Sequence, residues 1–170
     1  MFRKKESAAR PLAAVQILTP DYLVEGYIDV DDSGWPFGPV KLTSVRFEPT
    51  GSLTPPATTA ANWYVLGKSP VVAAIPRDES ILAHTQKRYP NEKYPLAAEL
   101  YVGPYLIQGI VLRSLEETDP LTLMSTLDEY VVVQDVAIDC LLPGTRLKRL
   151  SAPLALVSTE NLLHGFVVLQ

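Results

Sequence analysis

The chain holds one cysteine and two histidines, so nucleophilic and metal chemistry would have to be built from Cys140, His84 and His164. A thiolate at Cys140 needs a nearby imidazole to take its proton and a carboxylate to orient the ring, a role open to His164. Alternation along VVVQDVAIDC instead places Cys140 on the inward row with Val136 and Ile138, where a buried thiol is inert. His84 and His164 fall near the ends of two similar stretches and read as structural or solvent-facing. The acids Glu116, Glu117 and Asp119, and the pair Asp128 and Glu129, lie in a polar stretch where all stay ionised, so acid and base roles do not separate. Asp29, Asp31 and Ser33 followed by Gly34 resemble the start of a calcium loop, but the twelfth position is Val40 rather than a bidentate Glu, which favours a polar β-turn. Glycine-rich phosphate loops and nucleophile elbows are absent from the sequence. The expectation is a non-enzyme that needs neither metal nor cofactor.

Composition narrows the class. Of 170 residues, 47% are apolar and 20% charged, enough for one mid-sized core or two small ones. A net charge of -4 argues against a surface built throughout to coat nucleic acid or anionic lipid. The basic clusters are Arg146, Lys148 and Arg149, with Arg3, Lys4, Lys5 and Arg10 in the N-terminal tail. They are the candidates for phosphate contact, against a reading as solvated loop charge. One cysteine cannot form an intrachain disulfide. The N-terminus lacks an apolar signal core, and no apolar run is long enough to span a membrane, so a cytoplasmic location is expected.

The informative feature is internal similarity. Sliding the chain by 83 residues lays AVQILTPDYLVEGYIDV (14–30) on AAELYVGPYLIQGIVLR (97–113) without a gap, with Ala14/Ala97, Tyr22/Tyr105, Leu23/Leu106 and Gly26/Gly109 identical. The same offset lays SPVVAAI from Ser69 on APLALVS from Ala152. Between them, VKLTSVRFE from Val40 fits VVVQDVAID from Val131 at an offset of 91, so the second copy has about eight more residues before this strand and about eight fewer after it. Such length changes belong in loops.

Both copies alternate with the period of a strand: Val24, Gly26, Ile28 and Ile107, Gly109, Val111 form inward rows, as do Val45, Phe47 and Val136, Ile138. Gly26 and Gly109 inside strands predict a sharp bend or a close backbone approach. Fifteen prolines favour short strands, the polar segment 49–62 reads as a loop, and only 78–88 could be a helix or else a turn before a last strand. The expected fold is all-β: two tandem copies of a small, strongly bent five-stranded β-barrel. Residues 1–12 form a flexible basic tail, 13–88 the first repeat and 89–170 the second.

The order of strand, turn, YLxxG strand, loop, LDEYVVVQDVAID strand and a final APLALVSTENLLHGFVV pair resembles the Sm-like fold. Tyr22 with Gly26 and Tyr105 with Gly109 are similar, at a slightly wider spacing, to its aromatic-x-x-Gly pattern. Leu127 to Tyr130 are similar to its loop before the third strand, and Ser158 to Asn161, or Arg77 to Ser80, to its last short turn. The resemblance implies RNA binding through a loop Asn and an Arg-Gly pair. Val131, Thr159-Glu160 and Arg77-Asp78 depart from those residues, and an acidic side chain near a phosphate path repels it. The outer row of the second strand changes from Glu25, Tyr27, Asp29 to Gln108, Ile110, Leu112 between copies, so Ile110 and Leu112 are the candidate interaction residues. The expected role is a non-catalytic interaction or assembly module, self-associating or binding a protein partner through sheet edges, with RNA binding as the alternative.

Overall fold

The computed structural model describes residues 10–31, 35, 39–51, 60–67, 71–88, 94–113, 119, 122, 130–160 and 163–169. Among the described residues ten strands form one antiparallel sheet: β1 (Leu12–Leu18), β2 (Tyr22–Asp29), β3 (Val40–Pro49), β4 (Ala60–Leu66), β5 (Ala73–Pro76), β6 (Tyr94–Val102), β7 (Tyr105–Arg113), β8 (Tyr130–Cys140), β9 (Leu150–Ser158) and β10 (Leu163–Val168). The helix α1 (Glu79–Arg88) separates β5 from β6. The spatial order is β10-β6-β7-β8-β9-β5-β1-β2-β3-β4. The sheet is open, with β10 and β4 at its edges, and is one continuous sheet where the sequence predicts two small, strongly bent barrels. β5 turns to β1 and β9, not to β4, so the five strands do not close on themselves.

Each half has the same internal order: β5-β1-β2-β3-β4 and β10-β6-β7-β8-β9. Registers recur as well. Tyr27↔Thr43 returns as Ile110↔Gln134, and Thr43↔Trp63 as Gln134↔Leu154, which is the offset of 83 on the first two strands and 91 on the next two.

The two halves also bend at the same place. Between Glu25↔Arg46 and Tyr27↔Thr43, two residues, Ser44 and Val45, oppose Gly26 alone; between Gln108↔Ala137 and Ile110↔Gln134, Asp135 and Val136 oppose Gly109. These are β-bulges, which bend a strand and increase its twist. Ser44 (φ 51°) and Asp135 (φ 48°) take the left-handed conformation. The extra residue shifts the alternation, so Val40 and Leu42 point inward before the bulge and Val45 and Phe47 after it. The opposing strand comes close: a Cβ on Gly26 would lie 3.2 Å from the Thr43 carbonyl oxygen, and one on Gly109 would lie 2.6 Å from that of Gln134.

Two apolar clusters result. One gathers Val15, Ile17, Val24, Ile28 and Leu42, and is covered by Trp35 and by Ile81 of α1. The Trp35 indole N–H donates to Thr85 Oγ1 at 3.0 Å, and the Thr85 hydroxyl donates to the Ile81 carbonyl at 2.7 Å. The other cluster gathers Leu100, Tyr105, Ile107, Val133 and Ile138. Because the sheet is continuous, the row Leu112↔Val132↔Leu156↔Ala74↔Ile17 runs from the outer face of the C-terminal half onto the inner face of the N-terminal half. Leu154 and Leu156 of β9 therefore join the first cluster, and Leu18, Leu23 and Ile75 join the second.

Several sequence expectations are corrected. SPVVAAI and APLALVS are not equivalent: the first contains β5, fifth in its half, and the second lies in β9, fourth in its half. Val71 to Ile75 and Leu154 to Val157 are short apolar runs buried on both faces, and such runs match one another without sharing a place in the fold. Arg77 to Ser80 leads into α1 and does not join the last two strands, and 60–62 of the expected loop belong to β4. His84 sits on α1 and His164 on β10, so they are not counterparts.

Replacing Gly109 with Ala should cost about 2–3 kcal/mol, because the new methyl meets backbone and the Val133 side chain. Gly26→Ala, where the neighbour must yield by less, should cost about 1 kcal/mol. Urea midpoints of the two variants check the ranking.

Candidate assembly interface

Among the described residues no three His, Cys, Asp or Glu side chains gather at a metal-binding spacing. Cys140 is half-buried, and its thiol donates to the Thr50 carbonyl at 3.6 Å. The exposed His164 places Nε2 2.8 Å from the Gly103 carbonyl oxygen, and His84 is half-buried on α1. Asp119 accepts the Thr122 amide and hydroxyl; Glu116, Glu117, Asp128 and Glu129 lie outside the described residues. Asp29 accepts the Asp31 amide and pairs with Arg10 at 3.0 Å, and these two donors, in that order, hold its carboxyl below the usual range. Arg3, Lys4 and Lys5 lie outside the described residues. Arg146, Lys148 and Arg149 are exposed, but Arg149 spends its guanidinium on Asp139 at 3.4 Å and on Gln108 at 3.0 Å.

A cleft of about 300 Å³ lies on the outer face at the first bulge, lined by Gln16, Glu25, Tyr27, Ser44, Arg46 and Arg77 among others. Its polar groups are largely engaged with each other: Gln16 Nε2 donates to Glu25 at 2.5 Å and Arg77 Nε to Gln16 Oε1 at 2.6 Å. The other half repeats the pair with the residue types exchanged, Gln108 donating to Glu99 at 2.7 Å. Cross-strand polar pairs of this kind hold strands in register.

The two halves meet at a short seam where β9 pairs with β5. Val157 pairs with Ala73 and Leu156 with Ala74, and the Ser158 amide donates to the Val72 carbonyl at 2.9 Å. Around it, Tyr105 Oη donates to the Thr19 carbonyl at 2.6 Å, Arg77 Nη1 to the Ser151 carbonyl at 3.0 Å, and the Thr145 hydroxyl to the Thr50 carbonyl. Burial pushes the Tyr105 hydroxyl well above its ordinary pKa. Of the two candidate interaction residues, Leu112 packs half-buried against the N-terminal cluster and Ile110, one row away, is also half-buried.

The two sheet edges differ from that seam. On β4, Trp63 is 62% and Val65 53% exposed; on β10, Val167 is 44% exposed. Large apolar side chains on an edge strand mark an interaction surface. The alternation of Ala61, Trp63 and Val65 is the sequence signal for this row, hidden behind the low-complexity stretch before it. Comparison with protein-family models, with curated proteins and with solved structures returns no match. No helix among the described residues is long and apolar enough to cross a membrane.

Tyr105→Phe should lower stability by about 1–2 kcal/mol, since it leaves the Thr19 carbonyl without this donor. The raised pKa means that the protonated hydroxyl favours the folded state. That contribution is complete below the unfolded tyrosine pKa and is lost as pH rises above it towards the folded value. Chemical denaturation across alkaline pH should show the wild-type advantage over the variant shrinking as pH increases.

Proposed function

We propose that the chain is a non-catalytic assembly module, a tandem of two Sm-like units that self-associates through its free sheet edges. The carrying observation is the β9–β5 seam, which joins one edge of each half and leaves one side of β4 and one side of β10 without a sheet neighbour among the described residues. The recurrent register and the paired bulges at Gly26 and Gly109 support descent of both halves from one unit. Unpaired strands expose backbone donors and acceptors that another strand satisfies, and apolar side chains beside them add burial to that pairing. RNA binding is the second reading, favoured by the exposed Arg146 and Lys148.

Light scattering on a size-exclusion column with absorbance at 260 and 280 nm separates the two. A discrete multiple of 18.7 kDa with a protein-like absorbance ratio is expected. A species of 18.7 kDa at every concentration would refute self-association. Excess absorbance at 260 nm that salt removes, and that falls when Arg146, Lys148 and Arg149 are neutralised, would establish the RNA reading instead.

A further inference from the structure

The cleft at the first bulge does not end at β3. A second cleft of about 590 Å³ adjoins it, lined by Ser44, Arg46, Ala60 and Asn62 among others, and the two share Ser44 and Arg46. Together they form a trough that crosses the strands from β1 to β4. Tyr27 lines one end, Trp63 follows Asn62 at the other, and both rings are exposed. Each pairs with Thr43, from opposite sides, so their backbones lie two strand spacings apart, about 9.5 Å, with only the short Thr43 side chain between them.

The charged groups along the trough are of both signs. Glu25 lies directly opposite Arg46 on the neighbouring strand, and strand order puts it between Arg46 and Arg77. Gln16 holds Glu25 on one side and Arg77 on the other, while the Ser151 carbonyl takes a second donor of Arg77, so these groups are fixed in advance. Arg46 makes no hydrogen bond or ion pair among the described residues, and neither does Nη2 of Arg77. The set belongs to one half. The register counterparts of Tyr27, Arg46 and Trp63 are Ile110, Ala137 and Leu154. Arg77, whose amide donates to Ala14, corresponds to Leu169, whose amide donates to Ala97.

We infer that the outer face of the N-terminal half binds an extended, neutral oligosaccharide, with sugar rings stacked on Tyr27 and Trp63 and hydroxyls hydrogen-bonded to Glu25, Arg46 and Arg77. A carboxylate only accepts and a guanidinium only donates, whereas a hydroxyl does both. An anion bridging the two arginines meets Glu25 between them, and a cation at Glu25 meets an arginine on either side. A neutral polyhydroxyl ligand satisfies all three. The electron-rich faces of exposed aromatic rings take the polarised C–H faces of sugar rings, and two rings this far apart require linked sugars rather than one. This reading does not depend on self-association.

The two tryptophans supply the readout. Trp35 is buried and Trp63 exposed, so quenching of the full chain's fluorescence by acrylamide reports Trp63. The probes are β-linked hexasaccharides of glucose, xylose, mannose and N-acetylglucosamine, each beside its monosaccharide, with polyuridylate as the anionic control. Chain concentration is held fixed, so any shielding by self-association is constant. At least one hexasaccharide should reduce the quenching constant several-fold, and its monosaccharide should do so far less. In calorimetric titration with that sugar, Tyr27→Ala and Arg46→Ala should each weaken binding about five- to tenfold, while Tyr27→Phe, which keeps the ring, retains it. Both positions are exposed, and unchanged urea midpoints should show that the variants fold. Failure of every hexasaccharide to protect Trp63 would overturn the inference. So would protection by polyuridylate alone, or sugar binding that Tyr27→Ala and Arg46→Ala leave unchanged.

Discussion

An open sheet always ends in two strands whose outward backbone groups have no partner in the sheet, and the architecture of this protein follows from where those ends fall. Within each half, the fifth strand pairs with the first and not with the fourth, so every half has two edges. The chain satisfies one pair of them internally by laying β9 against β5. That junction places β5 in the middle of a ten-stranded sheet, which is why its four residues, Ala73 to Pro76, are all buried. The same junction passes apolar side chains from each half into the core of the other, making the halves one folding unit in packing terms. What the junction cannot do is remove the last two edges.

The bend that gives each half a core comes from one extra residue. At Ser44-Val45 and Asp135-Val136 the added residue re-aims the following side chains by one position, so that apolar pairs on both sides of the bulge reach the same cluster. Gly26 and Gly109 permit it by carrying no Cβ where the neighbouring strand approaches. Close packing around such a point tolerates little added volume.

Much of this was legible in the residues, though unevenly. Strand periodicity over 22–30 and 105–113, the inward rows Val45 with Phe47 and Val136 with Ile138, and the bend at the two glycines are local properties, and local patterns survive in a sequence. The parity shift at Ser44 was not legible, because a bulge is defined by what lies opposite it. Pairing is non-local for the same reason. SPVVAAI and APLALVS are similar because both are central strands, and similarity alone could not say that one is fifth and the other fourth in its half. Ile110 and Leu112 differ in polarity from their counterparts Tyr27 and Asp29, and Leu112 packs half-buried against the cluster that Val132, Leu154 and Leu156 share with the N-terminal half. The exposed row of Trp63 and Val65 needed the strand order before its counterpart in Leu154 and Leu156 could be recognised.

The central claim is that β4 and β10 are edges only in an isolated chain. Amide hydrogen exchange, followed peptide by peptide as the protein is diluted, measures this at the backbone itself. The account predicts protected amides in β4 and β10 at high concentration that lose protection on dilution, while those of β5 and β9 stay protected throughout. Fast exchange in β4 and β10 at every concentration, with the seam protected, would contradict it.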